Sequence, residues 1–216
     1  MRIVAHEFRP RDLVGGHLVV DLVNTVTARN ADPIDWLDGY ARLLEWAELT
    51  EQFDRTALRE LRRLSEAHPR AASRAFDRTR ALREALHSVL SAIAADRAAP
   101  GPALRYVEER WKEAMAHARA RQSGGRIRLV LDIEGSGLDY LDDELALRSL
   151  DLLEDLPADR TRVCSGSACG GVFIDRSKGG RRRWCDMATC GNAEKSRRHY
   201  QRTRAGRAPA ARSRGA

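Results

Sequence analysis

Aromatic residues are scarce in this chain, 6% of 216, and no stretch approaches the ~18 to 20 consecutive apolar residues that a membrane-crossing helix needs. No membrane partner is therefore expected, although a hydrophobic content of 43% is enough to build a core. The opening, MRIVAHEFRPRD, lacks a basic-then-apolar leader, which argues against a secreted disulfide scaffold and for a reducing, cytoplasmic setting. Enzyme motifs are missing as well. There is no HExxH, GxSxG or phosphate-binding loop, and no His-x-Glu with Pro-Cys-x-x-Cys of the zinc deaminases. His6, His17, His68, His87, His117 and His199 are scattered. We read no catalytic residue and expect no enzyme.

Cysteine is rare too, but its placement is informative. All four cysteines fall between Cys164 and Cys190, as the pairs Cys164/Cys169 and Cys185/Cys190, each with four intervening residues and fifteen between the pairs. Zinc takes four soft ligands in a tetrahedron, and two short cysteine loops supply them. A spacing of four sits at the edge of the usual range of about two to four. One structural Zn2+ per chain is the expectation, with Cys164, Cys169, Cys185 and Cys190 as ligands. Softness and geometry alone leave iron open as the alternative. A closed four-sulfur site keeps no position for a nucleophilic water, so the metal is expected to be structural.

Charge is divided along the chain. The net charge is +7, yet from Arg160 onward there are 15 Lys and Arg against 3 acidic residues, leaving 23 against 28 in residues 1–159. A basic module on a mildly acidic body is the electrostatic footprint of nucleic-acid binding. Between the cysteine pairs, Val172, Phe173 and Ile174 followed by Ser177–Gly180 read as a β-hairpin over the metal. After Cys190 a helix is expected from about Asn192 to Arg204. It would place Lys195, Arg198 and Arg202 on one face and Arg197, Gln201 and Arg204 on the next. Arg181, Arg182, Arg183, Lys195, Arg197, Arg198 and Arg202 are the candidate phosphate contacts.

The preceding 158 residues read as mostly helical. His17–Val26 is apolar and β-branched, a buried strand or the start of a buried helix, with Asn24-Thr25 as a satisfied turn or a polar contact inside a pocket. Asp38 is a fit N-cap for a helix through Trp46, and a second helix runs from Arg55 to Ala67. The most regular stripe is Ala75, Phe76, Thr79, Leu82, Leu86, Val89, Leu90 and Ile93, on a helix over about 70–96 that should be the spine of the core. A fourth helix carries Leu104, Val107, Trp111, Met115 and Ala118. Ile127, Leu129 and Leu131 then alternate as a half-buried strand, with Glu134–Gly137 as the turn and Leu138 and Tyr140 on a returning strand. Asp142-Asp143-Glu144 opens a last helix ending at Pro157.

Two resemblances cover nearly the whole chain. Residues 160–202 resemble the CGNR-type zinc finger through Cys164 and Cys169, FIDRS at 173–177, RRRWCDMATCGN at 181–192 and KSRRHYQR at 195–202. Ala193 stands where that family has its arginine. If that arginine contacts phosphate or braces the finger, this chain lacks one such contact. GGHLVVDLVNT at 15–25, the helix led by Asp38 and the 127–156 region resemble the ABATE domain that precedes such fingers. The resemblance implies a bacterial, stress-induced transcriptional regulator with no established ligand.

The expected fold is thus α+β. A mostly helical domain with a small β-hairpin spans 1–158, a four-cysteine finger of hairpin plus helix spans 159–204, and a disordered basic tail spans 205–216. The expected function is zinc-dependent DNA binding by the finger, with the N-terminal domain sensing a ligand or mediating assembly, a homodimer included. The alternatives are an RNA-binding or protein-interaction finger, or a thiol redox sensor. Losing a zinc ligand is expected to unfold the finger and leave the body folded.

Overall fold

The computed structural model describes residues 1–205; the expected tail lies, from residue 206 on, outside the described residues. The helices are α1 (Leu18–Val23), α2 (Tyr40–Thr50), α3 (Arg55–Ala67), α4 (Pro69–Ala94), α5 (Gly101–His117), the single turn α6 (Ile133–Ser136), α7 (Tyr140–Glu154) and α8 (Asn192–Ala205). Short strands β1 (Arg2–Ile3), β2 (Val26–Thr27) and β3 (Ile34–Asp35) form one sheet in the order β1-β3-β2, with β1 parallel and β2 antiparallel to β3. Two antiparallel hairpins complete the set, β4 (Arg119–Ser123) with β5 (Arg126–Val130), and β6 (Thr161–Val163) with β7 (Val172–Ile174).

Helix α4 is the spine that its periodicity predicts. It packs against α1, α2, α3, α5 and α7 and also against β6 and β7. Pro69 opens it where a missing N–H is harmless. Every residue of the expected stripe is buried except Ile93, which is half-buried. Helix α3 has the predicted bounds, with Asp54 capping it by accepting the Ala57 N–H at 2.7 Å. The ambiguous apolar run is a helix, α1, wholly buried. Asp38 is not the cap of α2; Gly39 holds that position and Asp38 lies one residue outside.

The strand expected over 127–131 exists, but its partner and its burial differ from expectation. Gly124 and Gly125, at φ +56° and +75°, provide a tight left-handed turn that returns β5 onto β4. Asp132 accepts the Gly135 N–H at 2.9 Å and starts a helical turn instead of a second strand, so 133–140 is helical. Ile127 and Leu129 are 75% and 57% exposed. Alternation without a sheet to pack on buries nothing.

The stripe on α5 is also rotated. Val107, Arg110 and Ala114 are its buried residues, while Leu104 is exposed. Arg110 is drawn inward by Asp142 and Asp143 on the first turn of α7, at 2.5 and 3.2 Å. Both carboxylates are buried. Burial pushes Asp142 up to about 6 even against the pull of Arg110.

The finger does not stand apart from the body. Val172 and Ile174 belong to the same core as α1, α4 and α7, and only Phe173 points the other way, into the cysteine cluster. The hairpin closes around the first cysteine loop, not around Ser177–Gly180 as the sequence reading has it. That second turn is present but follows β7, with Asp175 accepting the Ser177 and Arg182 N–H groups at 2.9 and 2.8 Å.

Candidate metal centre and nucleic-acid face

The loop between β6 and β7 carries Cys164 and Cys169, and an extended segment brings Cys185 beneath them. Asp186 then accepts the Thr189 N–H at 2.8 Å, starting a single wide helical turn, Met187–Gly191, that places Cys190 immediately before α8. All four sulfurs lie within 4.8 Å of one another. Cys169 and Cys185 are 3.8 Å apart, and Cys185 and Cys190 are 3.7 Å apart. A tetrahedron with Zn–S bonds of about 2.3 Å has an edge of about 3.8 Å. The donor set and spacing therefore fit one structural Zn2+.

Backbone N–H groups support the sulfurs. Gly166 and Cys185 donate to Cys164 Sγ, and Gly171 donates to Cys169 Sγ, each at 3.4 Å. Such donors stabilise thiolate, the form that binds metal. Cys164 and Cys185 are buried while Cys169 and Cys190 are half-buried.

A family model described as "Putative stress-induced transcription regulator", ABATE, matches residues 16–155, and the CGNR zinc finger matches residues 160–203. The chain belongs to the ABATE family. Its finger is of the CGNR type. No curated protein matches the chain. Neither matched family is an enzyme family, and no helix among the described residues is long and apolar enough to cross a membrane.

Structure gives the ABATE motif at 15–25 a physical role: it is the socket for the finger's strand β7. Asn24 brackets Val172, its Nδ2 donating to the Val172 carbonyl at 2.8 Å and its Oδ1 accepting the Val172 N–H at 3.0 Å. The Gly15 carbonyl accepts the Ile174 N–H at 2.9 Å. Asp21 holds Gly15 in turn by accepting its N–H at 2.7 Å, while burial pushes the Asp21 carboxyl up to about 6. The next segment touches the zinc loop directly: Arg29 N and Asn30 N donate to the carbonyls of Cys169 and Ala168 at 2.8 and 3.2 Å. The approach is close enough that Gly170, at φ +67°, has no room for a Cβ, which would sit 2.7 Å from Asn30 Oδ1. The Asn24 side chain is thus satisfied, but not by the local turn of the first sequence reading: its partner is 148 residues away, and Asn24 also lines a cleft between the body and the finger.

The seven candidate phosphate-binding residues do not share one environment. Arg181, Lys195, Arg198 and Arg202 are exposed. Arg182 turns inward: its guanidinium lies 4.8 Å from the centre of the Phe173 ring and donates to the Cys185 carbonyl. Arg183 lies over Trp184 at 5.5 Å. Arg197 pairs with Glu194 at 2.7 Å. Glu194 itself accepts the Ser167 N–H at 2.9 Å; that bond, then Arg197, hold its carboxyl down at about 2. Glu194 ties α8 to the first cysteine loop, a role the sequence reading passed over, although a single acidic residue on an otherwise basic helix is a visible signal.

Proposed function

We propose that the chain is a DNA-binding transcriptional regulator whose finger meets phosphate and whose body senses a ligand or mediates assembly. Residues 1–158 and 159–204 are read as the two functional segments. The supporting observation is the exposed basic face of α8. Lys195, Arg198 and Arg202 are all exposed on a helix that starts two residues after a zinc-ligating cysteine. Their anchoring at the metal presents three cations at fixed spacing, as a phosphate reader requires. Arg181 extends the same charge, whereas Arg182 is assigned to bracing the finger and Arg197 to holding Glu194. The reading places the protein in a reducing cytoplasm, where the four thiolates stay available to metal, and in a bacterial stress response.

Affinity of the zinc-loaded protein for its own promoter region and for random duplex, measured against salt, tests this. Each phosphate contact contributes about 0.9 to the slope of log K against log salt. Replacing Lys195, Arg198 and Arg202 by Ala is expected to lower that slope by about 3 and to weaken binding on both duplexes, with zinc content unchanged. An unchanged slope would remove α8 from the interface. RNA ranks lower because sequence-specific RNA modules use stacking aromatics; Trp184 is half-buried beside Arg183, and the exposed rings on α8 are the adjacent His199 and Tyr200. A thiol redox sensor is less favoured because Cys164 and Cys185 are buried.

Assembly as a homodimer has its own support. Cross-strand partners share a face, so Ala120, Gln122, Ile127 and Leu129 form one exposed patch on the β4–β5 hairpin. We assign this patch to a second copy, because an isolated hairpin with unpaired edges and bare apolar residues is self-complementary. Sedimentation of Ile127→Glu should show a monomer where the parent is a dimer; equal masses would discard this interface.

A further inference from the structure

A cleft of about 570 Å3 separates the body from the finger, within the ~300 to 1,000 Å3 usual for small-molecule sites. Trp36, Val26 and Thr27 contribute to the body side, and Ala168, Cys190 and Ala193 to the finger side. The Trp36 ring is held rigidly. His6 stacks on it with 3.8 Å between centroids and 8° between planes, and His6 Nε2 bonds Asp12 Oδ2 at 2.9 Å. The cleft is apolar in character because its carboxylates already have protein partners. Asp12 also accepts the Arg9 N–H, Asp186 accepts from Thr189, and Glu194 accepts from Ser167 and Arg197. Among the described residues the lining holds one Arg or Lys, Arg11, and three carboxylates, so the site disfavours anions.

Ala193 adds the second observation. It is exposed, it lines the cleft, and it occupies the position that is arginine in the CGNR motif. An arginine there, on the first turn of α8, would extend from the finger wall into this space, and the methyl group leaves it free. We propose that the cleft is a binding site for a small, neutral, planar aromatic molecule that bridges the body and the finger. Such a ligand touches β2 and Trp36 of the body and the turn carrying Cys190 at once, so it stabilises the docked finger. Its regulatory meaning rests on the DNA-binding reading; its binding does not.

The test uses the full, zinc-loaded chain and two dyes with one ring skeleton. N-phenyl-1-naphthylamine is neutral, and 1-anilinonaphthalene-8-sulfonate carries an anionic group. The neutral dye should bind one per chain, at least about tenfold more tightly than the sulfonate. Ala193→Arg and, independently, Ala168→Trp fill the cleft from exposed positions and should each weaken the neutral dye at least about tenfold while zinc content stays at one. If either variant loses zinc, the other decides. At ten times its dissociation constant the dye should slow zinc extraction by EDTA about tenfold, because opening must await its release. No binding to the parent chain, equal affinity for the two dyes, parental affinity in a zinc-loaded filled variant, or unaltered extraction overturns the proposal. DNA affinity measured in parallel separates the two readings. DNA binding without dye binding sinks the cleft alone, and dye binding without DNA binding sinks the regulator reading alone.

Discussion

Replacing Cys185 by Ser is expected to unfold the finger and also to loosen the helical body. Structural zinc contributes an apparent ~10 to 16 kcal/mol in finger peptides, as much as the whole ~5 to 15 kcal/mol stability of a typical domain. Loss of the metal should therefore release the segment between Cys164 and Cys190. Strand β7 lies inside that segment, and its Val172 and Ile174 are buried in the body's core. Withdrawing two such side chains forfeits about 3 to 6 kcal/mol and strips Asn24 and Gly15 of their β7 partners. For a chain of this size that is roughly 6 to 24 °C in melting temperature. Zinc per chain, the thermal transition and amide exchange across α1 should all fall together, and zinc removal by chelation should reproduce the effect. A variant without zinc that keeps parental melting and α1 protection would restore the picture of an autonomous finger.

How far the sequence could be read depends on the range of the interaction. Helices α3 and α4 were legible because a 3.6-residue period and a local cap, Asp54 or Pro69, are written within a few residues of each other. The four-cysteine cluster was legible because four rare residues fall in one short window. The β4–β5 hairpin was misread because Gly124-Gly125 and Glu134–Gly137 are both credible turns, and only the Asp132 cap decides between them. Docking of β7 into the 15–25 motif left no local trace. Asn24 and Val172 are far apart in the chain, and an asparagine at the end of an apolar run looks like any turn residue. One long-range feature did leave a signal. Arg83 falls among the buried residues of α4, four residues after Thr79 and one after Leu82, and a charge in that position demands a partner.

That partner is Asp35, and breaking the pair is the second large effect expected. Both side chains are fully buried. Arg83 donates to the two Asp35 oxygens at 2.7 and 2.6 Å and to Thr25 Oγ1 at 3.1 Å. Beside it, Glu84 takes both Arg83 Nε and the Arg29 guanidinium, while Arg29 N reaches the Cys169 carbonyl. A single charged network thus runs from α4 through β3 to the zinc loop. Asp35→Ala removes the carboxylate that takes both terminal nitrogens of the buried guanidinium and leaves only the Glu84 carboxylate, at Nε; breaking a buried pair in this way typically costs about 3 to 5 kcal/mol, or ~6 to 20 °C here. Replacing both partners, as Asp35→Leu with Arg83→Met, removes the uncompensated charge and should recover most of that loss, because buried pairs exchanged for apolar groups are often neutral. The stabilities of the single and double variants, measured by urea denaturation, separate two roles for the pair. Recovery in the double variant assigns the loss to the stranded charge. A double variant as unstable as Asp35→Ala would mean that the network's geometry, and with it the seating of residues 25–30 against the zinc loop, is what the pair maintains.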